Sequence, residues 1–336
     1  MVGNEEKEIK PRDDSFTFGV AEGVSANRIE QLLAEHRLLL PQNQSTDFST
    51  RISGGKVAPI KRILIVTTWR SGSTFLGEII NSAPGVFYSY EPMYYFERHN
   101  GSQTELIRSL SRCQFSTEYL RDMNGLIKGS QNFMMLNRRV WNACQHNRSL
   151  CVEPEFVGQL CSLFPVHLMK MVRLRVKDLS SLLMDDPSTE NWKIIYLVRD
   201  PRGVMSSRKN LTWCDSDPAC NDGARLCAEV KDDLERMNQF QNQFPHRFYL
   251  IKFEDLAASV EDETEKLFNF LGMPVTDSVK LFLSQHTHSN ETRDNPSSTV
   301  RHSKTVAAGW KFKLPDKVIA NITDVCVPTL KLLGFL

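Results

Sequence analysis

Apolar positions change their spacing along this chain, and each spacing predicts an element. The run ILIVTTW (63–69) is short, β-branched and continuously apolar. Such a run predicts a strand buried on both faces, as in a parallel sheet. Directly after it, Phe75, Leu76, Ile79 and Ile80 recur at helical spacing, and Pro84 with Gly85 ends that helix. The first unit is therefore strand, small-residue turn, helix. HLMKMVRL (167–174), KIIYLVR (193–199) and RFYLIKF (247–253) read as further strands. Helical periodicity fills much of the chain between them, including 224–242 and 261–271. Alternation of this kind predicts an α/β fold, a mostly parallel sheet flanked by helices.

The N-terminal residues have another texture. Asn27 with Glu30 resembles a capping box opening a helix through RIEQLLAEHRLLL, which Pro41 stops. QNQSTDFSTRISGGK then reads as a linker. The expected organisation is a peripheral segment or stem over 1–58 and one α/β domain over 59–336.

Composition narrows the function classes. With 41% apolar and 24% charged residues the chain is an ordinary globular one. Its net charge of 41 − 40 = +1 argues against nucleic acid as a partner. No apolar stretch is long enough for a transmembrane helix, so membrane attachment would need an N-terminal anchor missing from this sequence. The eight cysteines form no Cys-x-x-Cys pair, which leaves a zinc or thioredoxin reading little support. An even cysteine count and six Asn-x-Ser/Thr sequons (Asn43, Asn100, Asn147, Asn210, Asn290, Asn321) point to a disulfide-bonded glycoprotein of the secretory pathway. Buried free thiols and accidental sequons are the alternative, and spacing leaves the pairing open.

The first strand runs straight into Arg70-Ser71-Gly72-Ser73-Thr74. A tight turn at a helix N-terminus presents unpaired N–H groups and roughly half a positive charge from the macrodipole. Gly72 permits close backbone approach, the hydroxyls add hydrogen-bond donors, and Arg70 can grip a phosphate with two nitrogens. The G-x-x-x-x-G-K-[ST] pattern of nucleotide triphosphatases is absent, which disfavours ATP chemistry. A second turn follows KIIYLV, with Arg199 at a strand's carboxyl end, Pro201 fit to start a helix and Ser207 eight residues beyond Arg199. Arg202 and Arg208 fit a solvated helix face; Arg199 does not. Segment 61–77 holds three basic residues and no acid; 193–209 and 293–313 each hold five against one. The near-neutral chain thus concentrates positive charge at its strand ends.

Together RSGSTFL (70–76) and LVRDPRGVMSSR (197–208) resemble the sulfotransferase family, and most closely its Golgi branch acting at the 6-hydroxyl of galactose, N-acetylgalactosamine or N-acetylglucosamine. YEP (90–92), KMVRL (170–174), FEDLA (253–257), the Arg301-to-Trp310 interval and VCVPTLKLLGF (325–335) add to the resemblance, which covers about 60–336. It implies a P-loop-like sulfotransferase fold. It also implies 3′-phosphoadenosine 5′-phosphosulfate as co-substrate, with Arg70, Ser71, Gly72, Ser73, Thr74 and Phe75 on its 5′-phosphosulfate and Arg199, Ser207 and Arg301 on its 3′-phosphate. The partner it implies is a glycan or a glycoprotein or proteoglycan acceptor, the compartment the Golgi lumen, and the assembly a homodimer. Arg70 stands where cytosolic members have Lys, a change the carbohydrate branch shares. Lys170 is followed by Met171 and Val172, without the His that cytosolic members place there.

The acceptor's base must therefore come from elsewhere. Glu91 follows an apolar, aromatic segment (Val86, Phe87, Tyr88, Tyr90), and burial there is expected to raise its pKa. Arg70 and Lys170 are the expected stabilisers of charge on the bridging oxygen. Tyr94, Tyr95, Trp141 and Trp213 are candidate sugar-facing aromatics, and Trp310 a structural or adenine-adjacent one. A monoanionic sulfuryl group met by several cations calls for no metal. Two readings compete: a P-loop kinase, suggested by IIYLVRD, and a non-enzymatic secreted disulfide-bonded binding protein. Neither accounts for both anion turns.

Overall fold

The computed structural model describes residues 60–144, 148–184, 189–209, 211, 214, 217–287 and 307–336, together with Gln31. The expected 28–40 helix apart from Gln31, and Arg301, Trp213 and the sequons at Asn43, Asn147, Asn210 and Asn290, lie outside the described residues. Asn100 and Asn321 are exposed.

Five strands form one wholly parallel sheet: β1 (Lys61–Thr67), β2 (Val86–Tyr90), β3 (Val166–Met171), β4 (Trp192–Val198) and β5 (Phe248–Lys252). Their spatial order is β2-β3-β1-β4-β5. The continuous apolar run of β1 follows from its central place. Ile63 and Ile65 enter one core cluster while Leu64 and Val66 enter another on the opposite face. All four are fully buried, each worth roughly 1.5–3 kcal/mol.

β1, β3 and β4 begin and end slightly earlier than their apolar runs, while β5 falls within its run. β1 stops at Thr67, so Thr68 and Trp69 belong to the turn, and β3 stops at Met171, leaving Arg173 beyond it. β2 is a strand that the apolar pattern did not reveal. Its five residues are hemmed in by Gly85 and Pro92.

Five helices matter below: α1 (Ser73–Asn81), α2 (Pro201–Arg208), α3 (Gly223–Gln243), α4 (Phe253–Ala258) and α5 (Asp316–Leu333). The chain leaves β1 through α1 towards β2 on one side, and leaves β4 through α2 towards β5 on the other. Adjacent strands whose connections diverge open a crevice at their carboxyl ends, the usual ligand position in such sheets.

All eight cysteines pair: Cys113–Cys161, Cys144–Cys151, Cys214–Cys220 and Cys227–Cys326. The last ties α3 to α5 across 99 residues of sequence. His167 lies against Cys113 and Cys161, but their disulfide removes the thiolates a metal would require.

Candidate active site

The crevice between β1 and β4 is where the two sequence motifs meet. In the first turn, Arg70 (φ 72°) and Gly72 (φ 91°) both adopt left-handed backbone, bending the chain from strand to helix within a few residues. The Thr68 and Ser71 hydroxyls lie 3.0 Å apart, and Ser71 and Ser73 are buried. A Cβ on Gly72 would sit 2.3 Å from the Phe253 ring of α4. Gly72→Ala is accordingly expected to distort the turn and weaken binding of a 3′,5′-bisphosphate nucleotide about tenfold or more. Titration calorimetry checks this, and unchanged affinity would remove the turn from the anion site. Phe75, the last residue expected in this loop, packs near Phe282, with ring centroids 6.3 Å apart.

The second turn locks onto the first. Arg199, just past β4, donates from Nη1 to the Arg70 carbonyl at 3.0 Å, with its guanidinium 4.5 Å over the Phe253 ring. Arg70 Nε in turn donates to Ser207 Oγ at 3.0 Å. Ser207 reaches it because eight residues separate Arg199 from Ser207, about two turns of α2. Asp200 caps α2 by accepting from the Arg202 N–H, and its carboxylate also pairs with the Arg202 side chain at 2.8 Å.

Arg202 and Arg208 are not the solvated side chains expected of them. Arg202 lies 4.4 Å over the Trp310 ring, which makes Trp310 a structural prop of α2. Arg208 is buried, donating to the carbonyls of Cys220 and Trp69, while its Nε has no hydrogen-bond partner. Burial pulls its pKa down to about 10. A buried, incompletely satisfied cation beside Arg70 suits a polyanionic ligand.

The third component lies one strand over. Lys170 on β3 is paired in register with Tyr90 of β2 and Ile65 of β1. Its side chain is 1% exposed. The ammonium is 2.8 Å from Glu91 Oε1, 3.4 Å from Thr74 Oγ1 and 3.6 Å from the Tyr90 ring centroid. Thr74 belongs to the first turn, so Lys170 bridges that turn and the carboxylate. Glu91 has left-handed backbone (φ 45°), a conformation unusual for Glu, between β2 and the turn Pro92–Glu97.

One expectation fails here. Burial does push the Glu91 carboxyl up, but Lys170 and Arg173 together outweigh it and hold the group below the ordinary carboxylate value. The apolar segment before Glu91 announced the burial; nothing local announced the two cations. Arg173 is also the residue the sequence reading passed over. It follows Lys170 by three positions, and only the bend after β3 brings it to Glu91 Oε2 at 2.8 Å.

Of the candidate sugar-facing aromatics, Tyr94 is buried beneath Arg98 at 4.0 Å. Tyr95 stacks on His99 at the same distance and donates to Glu118. Trp141 lies 5.7 Å from the Arg148 guanidinium. All three have packing roles.

Comparison with known proteins bears on what this geometry serves. The sulfotransferase domain family matches residues 61–334. Human carbohydrate sulfotransferase 6 is 26% identical over 360 residues, covering 93% of this chain and 89% of that protein. Zebrafish (Danio rerio) carbohydrate sulfotransferase 1 is 28% identical over 327 residues, covering 81% and 77%. Among solved structures, the sulfotransferase domain of the Synechococcus PCC 7002 olefin synthase aligns with a TM-score of 0.46 at 15% identity, over 80% of this chain and 94% of that one. Mouse sulfotransferase SULT7A1 complexed with PAP aligns with a TM-score of 0.44 at 16% identity, over 82% and 86%.

Proposed function

Because the chain belongs to the sulfotransferase domain family and is a sulfotransferase, we propose that it moves a sulfuryl group from 3′-phosphoadenosine 5′-phosphosulfate to a glycan hydroxyl. The acceptor is the 6-hydroxyl of galactose, N-acetylgalactosamine or N-acetylglucosamine. The observation that carries this reading is the Arg70–Ser207 hydrogen bond, which joins the two proposed anion-binding turns, the first of which also meets the Lys170–Glu91 pair through Thr74. The names of the relatives, carbohydrate sulfotransferases 1 and 6, support a sugar acceptor.

The nucleotide supplies an activated sulfuryl group whose leaving atom is a phosphate oxygen. The N–H groups opening α1, with Arg70, Ser71, Gly72, Ser73 and Thr74, hold its 5′ end; Arg199 and Ser207, with Arg301, hold its 3′-phosphate. Transfer of this kind depends on positioning and on charge stabilisation, with attacking and leaving oxygens in line. Lys170 and Arg70 offset negative charge on the bridging oxygen, and Glu91 takes the acceptor's hydroxyl proton. These cations do what a metal ion would do elsewhere, so no metal is assigned. Four disulfides support an oxidising compartment, and the Golgi lumen is the proposed one. Among the described residues no helix is long and apolar enough to cross a membrane.

The test is transfer of radiolabelled sulfate to glycans ending in each of the three sugars, run beside a thermal-shift comparison of 3′,5′-bisphosphate nucleotide with Mg-ATP. Labelling of one sugar class and stabilisation by the bisphosphate alone are expected. Stabilisation by Mg-ATP alone would favour a kinase. No stabilisation by either nucleotide would favour a binding protein.

A further inference from the structure

We infer that Arg173 is the positioning residue for the proposed base: it anchors Glu91 through Oε2, leaving Oε1 to be released by Lys170 for the acceptor hydroxyl. The inference rests on the reading of Glu91 as that base.

The two cations on Glu91 are held very differently. Arg173 Nη1 meets Glu91 Oε2 at 2.8 Å. Its Nε and Nη2 meet Glu97 Oε1 at 2.7 and 2.6 Å. The guanidinium also lies 5.2 Å from the ring centroids of both Trp69 and Tyr94. A planar fork fixed by two carboxylates and two rings has little freedom left, and it can hold a carboxylate in one orientation. Among the described residues Lys170 has a single ion pair, and its ammonium already sits within 3.4 Å of Thr74 on the nucleotide-binding turn. A compact charge on a flexible stem can exchange Glu91 for new negative charge at that turn by rotation alone. When it does, Oε1 is uncovered while Arg173 still fixes Oε2. Trp69 precedes Arg70 directly, so the anchor is also built against the nucleotide turn.

The groups facing Glu91 are Lys170 from β3, Arg173 from the segment after β3, Glu97 acting through Arg173, and the phenols of Tyr88 and Tyr90 on β2. Of these only Lys170 and Arg173 oppose the effect of burial on the carboxyl. With Arg173 gone and Lys170 turned to the nucleotide, burial acts unopposed and Glu91 takes up a proton at higher pH.

The experiment compares wild type, Arg173→Gln, Arg173→Lys and Glu91→Gln. It measures kcat/KM for sulfate transfer from mildly acidic to mildly alkaline pH, and calorimetric affinity for the 3′,5′-bisphosphate nucleotide. Arg173→Gln is expected to lower kcat/KM at neutral pH about 10- to 100-fold, the loss of one hydrogen bond between charged groups. It should also move the acid limb of the profile to higher pH and leave nucleotide affinity nearly unchanged. Arg173→Lys keeps the charge without the fork, so it should recover part of the rate and shift the limb less; it carries the test alone if Arg173→Gln does not fold. A wild-type acid limb in both variants overturns the inference. So does a loss that is uniform with pH and matched by lost nucleotide affinity. Near-normal turnover by Glu91→Gln instead removes the base reading itself, so the two failures are distinguishable.

Discussion

Glu91→Gln is expected to lower turnover by about 10²–10⁴, the usual contribution of general acid–base catalysis, while nucleotide affinity stays near that of the wild type. Glutamine preserves the shape of the side chain and removes its capacity to accept a proton. It also leaves Lys170, buried in the sheet, without its carboxylate partner, so part of the effect comes from a misplaced ammonium. Steady-state kinetics with bisphosphate calorimetry separates binding from chemistry, and a variant that turns over normally excludes Glu91 as the base. The depressed pKa fixes the pH behaviour as well. A carboxyl held below its ordinary value of 4.5 is ionised throughout the neutral and mildly acidic range. The wild-type acid limb should therefore lie below the ordinary carboxylate range. The same group stabilises the fold fully above about pH 4.5, and that contribution is lost as pH falls through the lowered folded-state value.

Arg199→Ala is expected to weaken 3′,5′-bisphosphate binding by about 10- to 150-fold, the equivalent of roughly 1.5–3 kcal/mol for one charge-assisted hydrogen bond. Calorimetry measures it directly. The size reflects more than one lost charge, because Arg199 holds the Arg70 carbonyl and covers the Phe253 ring that abuts Gly72. Removing it loosens the first turn along with the second. Arg202→Ala is the control of equal charge. Arg202 is committed to Asp200 and Trp310, so its loss should affect α2 more than the ligand. Equal loss of affinity in both variants would mean that general positive charge, not the Arg199 position, recruits the nucleotide.

Local pattern carried much of this architecture. A strand buried on both faces must be apolar at every position, so β1 and β4 could be recognised without a partner. The turns after them were legible for the same reason. A glycine tolerating φ near 90°, hydroxyls, an arginine and an immediately following helix are all neighbours in sequence. The eight-residue interval from Arg199 to Ser207 encodes two helical turns, and that too is local geometry. Where a feature depended on chain segments distant in sequence, the pattern was silent or misleading. β2 earns its place by pairing with β3, far along the chain, and not by any periodicity of its own. Arg208 looked like a solvated side chain because its burial depends on Trp69 and the Cys214–Cys220 loop.

By itself the sequence determined a parallel α/β sheet with arginine- and hydroxyl-bearing turns at two strand ends, because strand burial and helix-terminus chemistry are set by residues in contact along the chain. The tertiary structure alone decided which cysteines pair, which cations face Glu91, and therefore the direction in which that carboxyl's pKa is shifted. Those outcomes turn on charges and thiols brought together across 79 residues for Lys170 and Glu91 and across 99 for Cys227 and Cys326. Electrostatic interaction falls off with distance in space, and position along the chain does not encode it.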